Sequence, residues 1–226
     1  MVAIWENEGL EGEIVARYEG VSPSVIRRLP RYYRFLEDLQ KKDVHRISSR
    51  ELSQLMNLTA SQIRQDLNCF GGFGQQGYGY NVDALLGEIG NILGLHKGYK
   101  VILIGAGNLG LAIAKHMSFE TKGFNLIGIF DKQKELIGMP VRHLVISDVN
   151  RLENFCKTFS PQVAILCIPR EEAPELADRL VNYGIKGFWN FSHYDLAMDY
   201  QDIAVENVHL GDSLMTLCYE ISEILE

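Results

Sequence analysis

No run of apolar side chains in these 226 residues approaches the ~20 needed to cross a bilayer, so a helical membrane span is excluded. The stretch from Met1 to Glu13 lacks the basic and apolar segments of a secretory leader. Cysteine is scarce, and Cys69, Cys156, Cys167 and Cys218 are scattered, with no CxxC pair and no histidine at ligand spacing. A disulfide scaffold and a zinc module are therefore not expected; the thiols read as reduced and packed, in a cytoplasmic protein with no metal site. Hydrophobic content of 46% and charged content of 23% are ordinary for a globular chain with room for one large or two modest domains.

Positive charge is also in deficit, with a net charge of −7, but the deficit is uneven. Residues 14–80 hold ten Lys or Arg against six Asp or Glu, whereas 1–13 hold four glutamates and no base. A basic block on an acidic chain suggests a polyanion as partner for that block alone, against the plain alternative of a solvated face.

The densest signal is Val101-Ile102-Leu103-Ile104 followed by Gly105-Ala106-Gly107-Asn108-Leu109-Gly110. An apolar strand runs into a G-x-G-x-x-G turn, and Leu111 to Lys115 continue as a helix. Gly105 permits the tight turn, Gly107 a close approach of backbone to pyrophosphate, and Gly110 close packing of helix on strand. The helix N-terminus then faces the phosphates. Phe124 to Phe130 supply a second strand, and Asp131 at its end can accept hydrogen bonds from adenosine ribose hydroxyls. A 2′-phosphate would face Asp131, which favours NAD(H) over NADP(H), although Lys132 and Lys134 follow directly. The alternative is a strand–helix turn without a ligand, with Asp131 capping the next turn.

In chain order, residues 1–13 are expected to be a flexible acidic tail. Residues 14–80 read as a DNA-binding domain. Ser22-Pro23 opens a helix whose Tyr32, Phe35, Leu36 and Leu39 recur at helical spacing. Ser48-Ser49-Arg50-Glu51 is a capping box before Leu52 and Leu55-Met56, and Thr59-Ala60-Ser61-Gln62 is a second before Ile63, Leu67 and Phe70. Two short capped helices with a tight turn make a helix-turn-helix, its second helix presenting Ser61, Gln62, Arg64, Gln65 and Asn68 outward to a major groove. Gly71 to Tyr80 is too glycine-rich for a helix and suits a β-hairpin wing; a helical hairpin with a flexible linker is the bland alternative.

Residues 81–97 read as a linker helix and 98–206 as the dinucleotide-binding domain. That domain is expected to contain a helix from Asp148 to Phe159, a strand from Val163 to Ile168, a helix from Glu171 to Tyr183 and a strand from Gly187 to Phe191. Residues 207–226 end in a helix from Ser213 to Leu225, whose Leu214, Leu217, Cys218, Ile221 and Leu225 are spaced for burial. Nothing else in the chain remains to cover that helix, so a partner subunit is expected. The fold class is α/β, an N-terminal winged helix followed by a Rossmann-like doubly wound parallel sheet.

Several pieces together resemble the bacterial redox-sensing repressor family Rex. They are Arg28-Leu29-Pro30, Val44 to Ser49, Gln62 to Leu67, Gly77-Tyr78-Gly79-Tyr80, the glycine loop, Ile168-Pro169-Arg170-Glu171, Gly184 to Phe191 and Val205-Glu206-Asn207-Val208. The resemblance implies a homodimer with exchanged C-terminal helices. Such a dimer binds palindromic operator double-stranded DNA when free or NAD⁺-bound, and NADH releases it. On this reading Arg46, Ser48, Ser49, Arg64 and the wing at Gly77 and Tyr78 contact DNA. Gly105 to Gly110, Asp131 and Lys132 hold the dinucleotide, and Ile168, Pro169, Asn190 and Phe191 line the nicotinamide side. No residue is catalytic.

The resemblance also marks a switch, with departures from the family pattern. An aspartate is common where this chain has His209, followed by an apolar residue, here Leu210. That aspartate can pair with the arginine matched by Arg34. Gln65 stands where a lysine is usual, Gln76 where the wing is often basic, and His116 where some members have tyrosine. Protonation of His209 and His116 near neutral pH would make the switch pH-sensitive. Two rivals stand beside this reading: an NAD-dependent dehydrogenase with His193 as its proton donor or acceptor, and a coenzyme A-binding domain on the same fold.

Overall fold

The computed structural model describes residues 21–75 and 78–225; the acidic tail expected at 1–13, Gln76 and Gly77 lie outside the described residues. Contacts divide the chain into two compact units with the boundary between His96 and Lys97.

The first unit opens with α1 (Pro23–Lys41), where Ser22 is the N-cap and Pro23 occupies the first turn. Proline costs nothing there, because that N–H has no partner inside the helix. After β1 (Arg46–Ile47) come α2 (Ser49–Met56) and α3 (Ala60–Asn68), separated by Asn57 in the left-handed region at φ 50°. The hairpin β2 (Gly74–Gln75) and β3 (Gly79–Asn81) follows, and β1 joins it to make a three-stranded antiparallel sheet in the order β1-β3-β2. Pairing of β1 with β3 forces Gly79: a Cβ there would lie 2.6 Å from the Ile47 carbonyl oxygen.

Next, α4 (Val82–Ile92) packs against α1, burying Val82, Leu85, Leu86 and Ile89 in one core with Leu29, Tyr32, Leu36, Ile63 and Leu67. The segment expected as a linker is thus part of this unit's core. Leu55, expected on the buried face of α2, is 48% exposed; Leu52 and Met56 fill that face.

The second unit is a seven-stranded sheet in the order β10-β9-β8-β4-β5-β7-β6. Its strands are β4 (Tyr99–Ile104), β5 (Phe124–Asp131), β6 (Pro140–Val141), β7 (Leu144–Asp148), β8 (Val163–Leu166), β9 (Gly187–Asn190) and β10 (Ala204–Asn207). All neighbours run parallel except β6 against β7. The helices are α5 (Asn108–His116), α6 (Leu152–Phe159), α7 (Ala173–Asn182) and α8 (Leu210–Leu225). Helices α6 and α7 begin later than expected, because short 3₁₀ turns at Val149–Arg151 and Arg170–Glu172 precede them. Helix α8 begins at Leu210, three residues before the expected start.

The four residues Val101 to Ile104 of β4 are all buried, as a central parallel strand requires. Strands are added outward from β4 first on the β5 side and then, from β8, on the other side, and the crevice at the C-terminal ends of the parallel pair β4 and β8 is where ligands bind in such sheets.

Helix α5 covers only part of one face of this sheet, and toward the β9–β10 edge that face is left open among the described residues. The connection from β9 to β10 has only the 3₁₀ turn Leu196–Met198 in place of a helix, and its Leu196, Tyr194, Tyr200 and Ile203 join the α6/α7 side. On the opposite face Val101, Val163, Ile165 and Trp189 line an apolar groove of about 460 Å³. Every residue of α8 is exposed, Leu214 at 67% and Leu217 at 47% among them.

Candidate nucleic-acid interface and dinucleotide cleft

At the start of α2, Ser48 Oγ accepts from the Glu51 amide at 3.1 Å, and Glu51 Oε2 accepts from the Ser48 amide at 2.8 Å. The Ser48 hydroxyl first and the Ser48 amide second, both donating to the Glu51 carboxylate, hold it below the usual carboxylate range. Ser48 also donates its hydroxyl proton to Glu51 at 2.7 Å, so its side chain works as a cap and is not a free DNA donor. Only half of the second expected capping box forms. Thr59 Oγ1 accepts from the Gln62 amide at 3.1 Å, but the Gln62 side chain turns away to Asp66.

That turn belongs to a network the sequence reading missed. Asp66 is fully buried, with Arg28 Nε and Nη2 on its two oxygens at 2.7 and 2.8 Å, the Tyr32 hydroxyl at 2.9 Å and Gln62 Nε2 at 2.7 Å. Burial alone would push this carboxyl up; the three donors outweigh it and hold it below its ordinary value. The signal was present: Asp66 falls on the apolar stripe of Ile63, Leu67 and Phe70, where a charge needs a partner. Gln62 is therefore tied to Asp66 within α3, while Arg28 and Tyr32 of α1 make the brace between the helices.

Ser61, Arg64, Gln65 and Asn68 are exposed along α3 as expected. Arg64 Nη1 donates to Ser49 Oγ at 2.9 Å, which anchors the arginine across the two helices. Arg46 sits with its guanidinium 5.9 Å from the centre of the Tyr78 ring and donates to the Tyr78 carbonyl at 3.4 Å. Tyr78 is 70% exposed at the wing.

In the second unit the three loop glycines differ in what requires them. Gly105 has φ +95°, and a Cβ there would fall 2.2 Å from the Cys167 carbonyl oxygen; at Gly110 it would fall 1.9 Å from the Gly105 carbonyl oxygen. At Gly107 a Cβ meets nothing within 4 Å among the described residues. Protein packing thus forces the outer glycines, whereas Gly107 keeps open the space at the α5 N-terminus that a pyrophosphate fits.

Asp131 stands at the same cleft, 6% exposed; its Oδ2 accepts from the Ala106 amide at 2.6 Å and its Oδ1 from the Gln133 amide at 2.8 Å. Ala106, expected among the cofactor contacts, therefore has its amide committed to Asp131. The cleft encloses about 370 Å³ and places Ile168 and Pro169 in one lining with Gly107, Asp131 and Lys132. Cys167 is also in that lining, and burial pushes its thiol up to about 12, so it is no thiolate. Asn108 and Leu109 are exposed in the first turn of α5.

Asn190 and Phe191 depart from expectation and are not in this lining. Asn190 is fully buried and donates to the Tyr194 carbonyl at 2.6 Å and to Asn207 Oδ1 at 2.8 Å, while accepting from the Ser192 amide and hydroxyl. Its polar atoms are occupied in tying the ends of β9 and β10 together. Phe191 packs edge-on to Trp189, with centroids 4.7 Å apart.

Of the switch candidates, Arg34 is exposed on α1, His116 is exposed at the end of α5, His209 is half-buried before α8, and Leu210 is 59% exposed. The His209 ring stacks on His193, centroids 5.7 Å apart. His193 lies outside the cleft lining, which leaves the dehydrogenase reading without its proton donor there.

A winged helix-turn-helix and a glycine-loop cleft on one chain define a class of ligand-responsive DNA-binding proteins. Residues 20–68 match the family model described as "Putative DNA-binding protein N-terminus", and residues 96–194 match the one described as "CoA binding domain". A protein of Thermoanaerobacter sp. strain X514 named redox-sensing transcriptional repressor Rex is 57% identical over 203 residues, 90% of each chain. The crystal structure of RSP with β-NAD⁺ and operator DNA has a TM-score of 0.84 at 57% identity, covering 90% of this chain and 93% of that one. RSP with β-NADH gives 0.83 at 54% identity, covering 90% and 95%. The chain belongs to the Rex family of redox-sensing transcriptional repressors.

Proposed function

We propose that this protein is a cytoplasmic, homodimeric repressor that binds operator DNA when free or NAD⁺-bound and leaves it as the NADH/NAD⁺ ratio rises. The observation that carries the reading is Gly107, whose missing side chain leaves open a space that no described contact of the protein requires. The amides at the start of α5 take the pyrophosphate, and Asp131, already fixed by Ala106 and Gln133, takes the adenosine ribose. Ile168 and Pro169 give the cleft an apolar wall. When bound, the dinucleotide supplies a nicotinamide ring that is cationic when oxidised and uncharged when reduced.

In the first unit Arg64, anchored on Ser49, and the exposed Ser61 and Gln65 meet the major groove, while Arg46 and Tyr78 carry the wing to the backbone. The exposed apolar face of α8 and the open groove on the sheet complement one another, so α8 of each protomer lies in the groove of its partner. Release then follows from a population shift: the reduced ligand favours a dimer whose two winged helices no longer match the operator half-sites.

Fluorescence anisotropy of operator-length DNA tests this. Release by NADH that NAD⁺ reverses is expected. Operator binding indifferent to both nucleotides would refute the sensor, and turnover of NADH with a carbonyl substrate would restore the dehydrogenase.

A further inference from the structure

The rim of the cleft carries a lysine whose charge is already taken. Lys132 directly follows Asp131, and its Nζ lies 2.5 Å from Oε1 of Glu172, in the turn that leads into α7. Both residues line the cleft. A lysine adjoining the ribose-binding carboxylate is the side chain best placed to meet a 2′-phosphate. Here it is held by an acid from across the cleft. The described lining adds Glu171 and Glu175 to Asp131 and Glu172, against Lys132 and Arg179. Four carboxylates thus face two cations.

We infer that Glu172 is a specificity-determining residue: by pairing Lys132 across the cleft it sets the preference for NAD(H) over NADP(H). This rests on the dinucleotide reading above. A 2′-phosphate adds about −1.5 to −2 of charge at neutral pH. To gain Lys132 it would have to displace Glu172, and it would then stand between Glu172 and Asp131. NAD(H) has free ribose hydroxyls and leaves the pair undisturbed. Lys132 is 62% and Glu172 39% exposed, so the pair contributes little to folding and can be removed without endangering the fold.

The test is titration of the full chain with NADH and with NADPH, followed by nucleotide fluorescence, for wild type, Glu172→Gln, Glu172→Asp, Lys132→Gln and the Glu172→Gln/Lys132→Gln double variant. In Glu172→Gln the NADPH affinity should rise relative to NADH by about tenfold, as a freed lysine gains a charge-assisted bond to phosphate. The gain should shrink at high salt and vanish in the double variant. Glu172→Asp, which keeps the carboxylate, should retain most of the wild-type preference. NADH binding with an unmoved ratio in Glu172→Gln would overturn the role of Glu172. A gain that persists in the double variant would overturn the route through Lys132. Wild-type protein that binds neither nucleotide would overturn the dinucleotide reading itself, and this inference with it.

Discussion

Replacing Asp66 by Asn probes the one fully buried carboxylate in the described part of the first unit. The substitution keeps the shape but removes the charge and turns one acceptor oxygen into a donor that faces Arg28 or Gln62. Breaking a buried pair from one side costs about 3–5 kcal/mol. The Arg28 side chain is 30% exposed and can partly rehydrate, which puts the expected loss near the lower limit, about 3 kcal/mol. For a unit of 60–100 residues that lowers the thermal midpoint by roughly 12–24 °C.

The pH dependence has a definite sign. The folded carboxyl lies below its unfolded value, so its contribution is present above about pH 4 and is lost as pH falls through the folded value. Wild type and Asp66→Asn should therefore differ most near neutrality and converge in acid. Urea melts followed by circular dichroism at several pH values measure both. A loss under 1 kcal/mol at pH 7, or a gap that widens in acid, would refute the assignment of the network as the brace between α1 and α3.

Three further outcomes follow from named contacts. Gly107→Ala should weaken NADH binding at least about tenfold with little change in melting temperature, because its methyl enters the open cradle; Gly110→Ala should cost folding itself, since its methyl would meet the Gly105 carbonyl at 1.9 Å. Arg64→Ala should weaken operator binding by about 1–3 kcal/mol if it reads a base, or reduce the salt slope by about 1 if it holds a phosphate, with NADH binding unchanged in titration. If α8 lies in the partner's groove as proposed, Ile221→Glu should give monomer where wild type gives dimer in light scattering after size exclusion, because a charge then enters an apolar groove.

Much of this was legible because strong patterns sat in long elements. Val101 to Gly110 announced strand, turn and helix in order, and the Ser48–Glu51 box marked a helix start to the residue. What escaped notice is short or depends on distant partners. Strand β10 is Ala-Val-Glu-Asn, an edge strand without an apolar run, and β6 is two residues beginning with proline. Asn190 is placed beside the nicotinamide by the family resemblance alone. Its four hydrogen bonds, one of them to Asn207 seventeen positions away, emerge only once β9 and β10 lie side by side. Gln62 was misplaced for the same reason: helical spacing pointed it outward, and Asp66 drew it back.

The tether from Asp131 to Ala106 has one more consequence. On the proposed reading it shapes the adenosine half of the cleft before any ligand arrives, so little ordering remains to be done there on binding. That half of the ligand is chemically the same in NAD⁺ and NADH. Whatever affinity it provides is common to both, and a ligand's common affinity shifts no equilibrium between states. The preformed half therefore sets the concentration range over which the protein listens, and the nicotinamide half alone determines what it hears.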